Sequence, residues 1–132
     1  METTGIVRRQ TAERRRDALE RLVTERDAWV STAHPDHGPH QVPLWFLWDG
    51  RAVWVCTSAT SVTARNVREE PRVRLALPDT FDVVLLQGEA ECFPDQEVPG
   101  GVRRQVRVGP AHGRGFLSVC TRGPEDCARL AR

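Results

Sequence analysis

Three histidines and a run of hydroxyl side chains are the residues of this sequence best suited to chemistry. His34, His37 and His40 are evenly spaced, and three imidazoles can bind zinc, copper or nickel. Their spacing fits neither a helical pair nor the alternation of a strand, because a Pro-Asp-His-Gly turn lies inside it. The sequence therefore favours the alternative, a solvated turn that carries histidines.

The hydroxyl run lies in the segment 57–66, which follows a predicted strand and leads into a predicted helix. Backbone amides at a helix N-terminus are a ready binding site for anions. Arg65 can add positive charge, and the hydroxyls come from Ser58, Thr60, Ser61 and Thr63. N-capping by Ser or Thr explains the same residues equally well, so both interpretations stay open on spacing alone.

The composition excludes several other chemistries. All 19 basic residues are arginines, and there is no lysine or tyrosine. Schiff-base chemistry, a P-loop lysine and a tyrosine general acid are thereby excluded. The net charge of +1 gives no electrostatic basis for binding nucleic acid. No GxSxG, GxGxxG or CxxC motif is present, so the four cysteines are interpreted as buried or bystander thiols.

The length of 132 residues predicts one domain, with a core at about 11–94 and a diverged segment at 95–132. No apolar run is long enough to cross a membrane, and no signal-type apolar region follows Met1. We therefore expect a cytoplasmic protein that acts on a small molecule, without a membrane or nucleic-acid partner.

Hydrophobic periodicity predicts the elements that position these residues. Helical spacing covers 11–26, and strand patterns then cover 28–33, 41–48 and 52–57. Asp49 and Gly50 are typical of a two-residue hairpin loop. This loop would pair Trp48 with Arg51 and would place Trp45 opposite Trp54, so that two indoles share one face.

The second half of the chain predicts a short helix and further strands. Val62, Asn66 and Val67 have helical spacing, and Pro71 ends that helix. Strand patterns follow at 72–77, 82–93 and 115–120, and 103–107 fits either a helix turn or a short strand. The expected fold is mainly β: a closed antiparallel barrel of six or so strands, with an N-terminal helix and a short helix between strands 3 and 4.

Three ordered motifs support a family resemblance. They are Pro-Asp-x-Gly-x-Pro-His, Val-Pro-Leu-Trp-Phe-x-Trp-Asp-Gly and Ala-Arg-Asn-Val-Arg-x-x-Pro-Arg-Val. In this order the chain resembles the pyridoxamine 5′-phosphate oxidase-like superfamily of flavin- and deazaflavin-binding proteins, especially its small actinobacterial members. The resemblance runs from the opening helix to about Phe93. It implies an FMN-binding-like split β-barrel that forms a homodimer with two cofactor sites at its interface.

The resemblance also implies a cofactor, either FMN or the deazaflavin coenzyme (factor 420). The ring would lie along the second and third strands, at Val42, Pro43, Leu44, Trp45, Thr57 and Ser58. The phosphate tail would meet Ser61, Thr63 and Asn66, and Gln87 would approach from the partner subunit. The implied function is hydride transfer between the cofactor and a small or aromatic substrate, in which the protein supplies orientation and electrostatics.

Two departures from the family pattern favour a second function. Members that hold a phosphorylated cofactor usually have a lysine where this chain has Thr63, and deazaflavin binders often have an arginine where it has Ser61. Residues 98–132 also lack the family's usual ending. The alternative is therefore a non-catalytic split-barrel protein that binds flavin or haem and has lost the phosphate-binding lysine.

Overall fold

The computed structural model describes residues 11–106 and 114–120. Six strands and three α-helices occur in these ranges, with a 3₁₀ turn at Asp95–Glu97. In chain order they are α1 (Thr11–Thr24), β1 (Asp27–His34), β2 (Gly38–Trp48), β3 (Ala52–Ser58), α2 (Val62–Glu69), β4 (Arg72–Ala76), β5 (Leu85–Pro94), α3 (Gly100–Gln105) and β6 (Arg114–Cys120).

The strands form a closed antiparallel barrel in the order β1-β2-β3-β6-β5-β4. Alternation along the strands turns every second side chain inward, as Ala28, Val30 and Thr32 show on β1. The mainly β barrel with a short helix between the third and fourth strands is confirmed.

The interior of the barrel is the main core. Its largest fully buried aliphatic side chains are Leu75 and Leu117. Helix α1 adds Leu22 to this core, and α2 adds Val67 while packing against several strands. Burial of each such side chain contributes about 1.5–3 kcal/mol, so the two helices are held mainly by their apolar faces.

Strand β3 is buried on both faces, because a second cluster lies outside the barrel. Trp54 and Cys56 point outward there and are covered by Val98, Val102 and Val106. These valines are four residues apart, which places them on one face of α3 and its flanks. The helical alternative for 103–107 is thus correct as far as Gln105, and Arg107 lies outside the described residues.

The register predicted for the β2–β3 hairpin is wrong. Trp48 pairs with Val53, and the Asp49 N–H donates to the Ala52 carbonyl, so the loop residues are Gly50 and Arg51. The Asp49 carboxylate accepts the N–H groups of Arg51 and Ala52 at 2.7 and 2.8 Å. Asp49 therefore caps the turn from the position before the loop, because its short carboxylate can reach the N–H groups that follow it.

Gly50 has a φ of +99°, and no non-glycine residue in the described chain has a positive φ. A side chain here is strained whatever the free space. We expect Gly50→Ala to lower the free energy of unfolding by about 1–2 kcal/mol in urea denaturation. Gly101→Ala is the matched control, since Gly101 is helical and has open space around its Cβ position. An equal loss in both variants would contradict the strained turn.

The long strand predicted at 82–93 begins three residues later, at Leu85. The Asp79 carboxylate accepts the N–H groups of Phe81 and Asp82, which holds this stretch in a turn. Arg21 of α1 also bonds Asp82. These local bonds compete with the strand ladder, and pairing with β4 starts only at Leu85 opposite Ala76.

Candidate functional site

The barrel opens between β2 and β3. These strands pair at only three positions, Phe46–Val55, Leu47–Trp54 and Trp48–Val53. Beyond them β2 pairs with β1 alone and β3 pairs with β6 alone. A cleft therefore lies between the first part of β2 and the last residues of β3. We call this opening the β2–β3 cleft.

The backbone of β2 presents hydrogen-bonding groups to this cleft. The Phe46 N–H donates to the Arg26 carbonyl on the β1 side. Because bonding direction alternates along an antiparallel strand, Gln41, Pro43 and Trp45 direct their backbone groups to the cleft. Pro39 follows the same alternation. Proline is tolerated in a strand where its missing N–H has no ladder partner, which explains the two prolines in this long strand.

The loop from Thr57 to Ser61 borders the cleft and is ordered by its own hydroxyls. The Thr57 hydroxyl donates to the Ser61 hydroxyl at 3.0 Å, and Ser61 Oγ also accepts the Ala64 N–H at 3.1 Å. Ser58 and Thr60 hydroxyls lie 3.1 Å apart. Ser61 is the N-cap of α2 and still has its own hydroxyl proton to donate.

The start of α2 has unused donors. The backbone N–H groups of Val62 and Thr63 have no hydrogen-bond acceptor among the described residues. The first turn of α2 carries no acidic residue, and Arg65 is exposed without an ion-pair partner in the described chain. Arg68 donates to the Ala59 carbonyl at 2.8 Å and so adds a second cation beside the loop. This combination of N–H groups, hydroxyls and cations is suited to a phosphate.

Two residues assigned to the phosphate lie on the inner face of α2. Thr63 is 2% exposed and Asn66 is 4% exposed. The Asn66 side-chain amide donates to Thr32 Oγ1 on β1 at 3.1 Å. This bond anchors α2 to the barrel. A phosphate held at the helix start would therefore meet Ser61 and the free N–H groups before either of these side chains.

The four β2 positions assigned to the cofactor ring divide between the two faces of the strand. Val42 lies opposite the buried Val30, and Leu44 packs against the main core. Pro43 and Trp45 are exposed on the outer face. Alternation is the reason: the side chains of Val42 and Leu44 point into the barrel and their backbone groups point to β1, so Pro43 and Trp45 are the two of the four that present backbone groups to the cleft.

The predicted Trp45–Trp54 pair does not form. Trp45 lies opposite Asp27, is 50% exposed and has the Arg26 guanidinium 5.4 Å from its ring centre. Trp54 lies opposite Leu47 and is buried against α3. The hairpin shift of two positions separates them. Trp45 instead has Trp29 as its diagonal neighbour on the outer face, since Trp29 pairs with Pro43.

Gln87 is not at the β2–β3 cleft of its own subunit. It lies on the outer face of β5, opposite Arg74 of β4, and β1 separates that pair from β2. Gln87 instead lines a groove of about 620 Å³ on the outer face of β1, β4 and β5. Arg74 was not identified from the sequence as a neighbour of Gln87. The signal was the Arg-Val-Arg-Leu pattern of β4, in which Arg74 stands between two buried residues and therefore points outward.

The three histidines do not form a metal site. His34 Nε2 lies 2.6 Å from a Glu69 carboxylate oxygen, and its Nδ1 accepts the backbone N–H groups of Asp36 and His37. His40 lies opposite Thr32. The described residues contain no group of three or more His, Cys, Asp or Glu side chains placed to hold a metal ion. His34 instead ties the β1–β2 turn to the end of α2.

The described cysteines are also poor candidates for chemistry. Cys56 is buried, and Cys92 is a half-buried free thiol. Burial raises the pKa of the Cys92 thiol, which keeps it protonated and weakly nucleophilic at neutral pH. No helix of the described chain is both long and apolar enough to span a membrane.

The fold and the cleft define a class of protein. It is a six-stranded split β-barrel, with an opening between two strands and a hydroxyl-lined loop leading into a helix at the edge of that opening. Within this class the chain belongs to the pyridoxamine 5′-phosphate oxidase family, whose sequence model matches residues 15–114.

Solved structures support the same fold. The chain is similar to an F420 reductase at 20% identity, with a TM-score of 0.64 over 79% of this chain and 93% of that one. It is similar to an FAD-binding protein from Mesorhizobium loti at 16% identity, with a TM-score of 0.61 over 83% and 88% of the two chains. No curated protein sequence gives a significant match.

A further similar structure is the haem storage protein HutZ from Vibrio cholerae. The identity is 16% and the TM-score 0.65, over 81% of this chain and 89% of that one. Because all three identities are low, these likenesses establish the fold and leave the ligand to be argued from this chain's own residues.

Proposed function

We propose that this protein is a homodimeric oxidoreductase that uses FMN or a deazaflavin and transfers hydride between it and a small or aromatic substrate. The observation that carries the proposal is the β2–β3 cleft beside the open N-terminus of α2. A flavin has a planar ring with a polar edge and a phosphate tail. The cleft offers backbone groups for the polar edge of the ring, and the start of α2 offers free N–H donors for the phosphate.

The residues present fit such a group by their chemistry. Gln41 and Trp45 can donate from the backbone and Pro43 can accept, so the cleft offers both kinds of hydrogen-bond partner that a flavin's polar edge needs. Ser61 and the N–H groups of Val62 and Thr63 suit the phosphate, and the helix dipole favours its charge. When bound, the cofactor supplies the hydride chemistry, and these residues hold and orient it.

The proposed homodimer is supported by apolar surface on the outer face of the barrel. Pro43, Trp29, Ala76 and Leu85 are successive partners across β2, β1, β4 and β5. With Trp45 they form what we call the apolar strip. Trp29, Trp45 and Leu85 are 42, 50 and 64% exposed. A contiguous row of exposed apolar side chains is typical of an interface, and Gln87 lies on the same outer face, two residues from Leu85 along β5.

A non-catalytic flavin- or haem-binding protein is the second candidate, and one observation favours it. Thr63 is neutral and almost completely buried, so the position that usually carries lysine contributes no charge at the cleft. The likeness to a haem storage protein is consistent with this alternative.

Titration of the purified protein with FMN, with the deazaflavin coenzyme and with haem distinguishes the candidates. Calorimetry and fluorescence report flavin or deazaflavin binding, and absorbance reports haem binding. We expect micromolar binding of FMN or the deazaflavin, followed by reduction or oxidation of the bound cofactor in stopped-flow experiments. Binding without turnover would support the second candidate, and no binding of either cofactor at tens of micromolar would refute the oxidoreductase.

Restoring the charge at position 63 should strengthen cofactor binding. We expect Thr63→Lys to raise FMN affinity about ten- to a hundred-fold, the effect of about 1.5–3 kcal/mol from one charged hydrogen bond to phosphate. Its alkyl stem would occupy the buried position while the ammonium reaches the cleft. Thr63→Met supplies the stem without the charge and should leave affinity unchanged. Calorimetry that finds no difference between the two variants would place the phosphate elsewhere.

A further inference from the structure

The groove on the outer face of β1, β4 and β5 forms because side chains of different size alternate across these strands. β1 contributes the small side chains of Ser31 and Ala33, whereas β4 and β5 contribute long ones on either side. The result is a hollow of about 620 Å³, which is within the range of small-ligand sites. Pro39 of β2 lines its edge, so the groove reaches β2 on the outer face of the barrel.

The two arginines that line this groove differ in their ion pairing. The Arg72 guanidinium lies 2.6 Å from a Glu70 carboxylate oxygen, and its hydrogen bonds hold the pKa of that carboxyl at about 2. Glu89 lies directly opposite Arg72 on the neighbouring strand. Arg74, by contrast, forms no ion pair with any residue in the described ranges. One guanidinium therefore stays available beside the Arg72–Glu70 pair.

The side chains on either side of Arg74 are also hydrogen-bond donors. Ser31 on β1 and Gln87 on β5 are its direct cross-strand partners, so all three project from the same face. Ser31 Oγ accepts the Gln41 side-chain amide at 3.0 Å, which leaves the Ser31 hydroxyl proton free to point into the groove. A guanidinium between a hydroxyl and an amide can satisfy a ligand that only accepts hydrogen bonds.

We infer that this groove binds a small planar carboxylate, with Arg74 as its bidentate anchor and Ser31 and Gln87 as flanking donors. The guanidinium fork matches a carboxylate in geometry and charge. A monoanion suits the groove better than a phosphate dianion, because Glu70 and Glu89 stand at its other side and only one arginine is uncommitted. As a substrate site beside the cofactor the inference rests on the proposed function, whereas carboxylate binding itself requires no cofactor.

Benzoate is the probe, with benzamide as its neutral counterpart of the same shape. Cofactor-free wild-type protein is titrated with each by NMR or calorimetry. We expect saturable benzoate binding, at least tenfold weaker benzamide binding, and at least a tenfold loss of benzoate affinity in Arg74→Gln. Arg74→Lys, which retains the charge but loses the fork, should bind with intermediate affinity. Arg51→Gln is the control, since Arg51 is an exposed arginine in the hairpin loop, away from the groove.

Each result supports or overturns the inference. Absence of benzoate binding at tens of millimolar overturns it, as does equal affinity for benzamide or unchanged affinity in a folded Arg74→Gln variant. Equal losses in the Arg51 and Arg74 variants would show a non-specific ionic effect and also overturn it. Thermal unfolding confirms that each variant is folded. Benzoate binding in a protein that binds neither FMN nor the deazaflavin coenzyme would support the groove and refute the proposed oxidoreductase.

Discussion

Replacing Trp54 with alanine is expected to lower the free energy of unfolding by about 3–5 kcal/mol, the usual effect of removing a buried aromatic side chain. Trp54 is 2% exposed, and its ring centre lies 5.4 Å from that of Phe93. It also packs against Val102 and Val106 around α3. The cavity would therefore open between the barrel and α3, and urea denaturation would measure the loss.

Trp45→Ala is the matched control for this prediction. The same residue type stands on the neighbouring strand but is 50% exposed and makes a cation–π contact with Arg26. Its removal should cost about 1 kcal/mol or less. Similar losses in the two variants would contradict the packing described here, in which α3 covers Trp54 and leaves Trp45 exposed.

Trp54→Phe separates packing from hydrogen bonding at the same position. The indole N–H donates to Asp49 Oδ2 at 2.8 Å, and the other oxygen of that carboxylate caps the hairpin turn. Losing this bond to a charged group is expected to cost about 1.5–3 kcal/mol. A combined Trp54→Phe and Asp49→Ala variant should lose less than the sum of the single variants, because the two side chains share one interaction.

A second large effect is expected on assembly. If the apolar strip is the homodimer interface, Trp29→Glu combined with Leu85→Glu should raise the dimer dissociation constant at least a hundredfold, about 3 kcal/mol. The two residues are exposed and lie in the same cross-strand row. Charges at the centre of an apolar interface lose their hydration and face like charges from the partner. Analytical ultracentrifugation over a range of concentrations would measure the change.

Val23→Glu is the control for the assembly prediction. Val23 is 71% exposed but belongs to α1, which is not one of the strands that form the apolar strip. It should leave the dimer intact. Because the proposed cofactor sites lie at the interface, the double variant should also lose FMN affinity. A wild-type protein that is monomeric at hundreds of micromolar, or a double variant that dimerises as well as the wild type, would contradict this interface.

Most helices and strands of the fold could be predicted from local sequence patterns. The strand pattern at 28–33 predicted β1, and helical spacing at Val62, Asn66 and Val67 predicted α2. These signals are local, since each depends on residues within one turn or one strand. The same reasoning failed at 82–84, where the hydrogen bonds of Asp79 hold a turn inside an apolar run.

The sequence indicated which segments form the candidate site, but not how they are arranged in space. The sequence pointed to the hydroxyls at 57–61 and to β2, because their types and order match a cofactor-binding pattern. It could not indicate that β2 and β3 separate beyond Phe46, or that Thr63 faces the interior. Strand separation depends on which strand pairs with each edge, and these pairings join residues far apart in the chain.

Most of the strands and helices, and the family, could be predicted from short segments, because periodicity, turn residues and ordered motifs are local properties. Which faces meet is set by tertiary packing. In the hairpin the loop is shifted by one residue, so that Trp54 lies opposite Leu47, and the packing of α3 covers Trp54 but leaves Trp45 exposed beside Trp29. Closure of the barrel brought Ser31, Arg74 and Gln87 from three strands into one row. Such contacts follow from register and closure, which are set by the packing of the whole barrel.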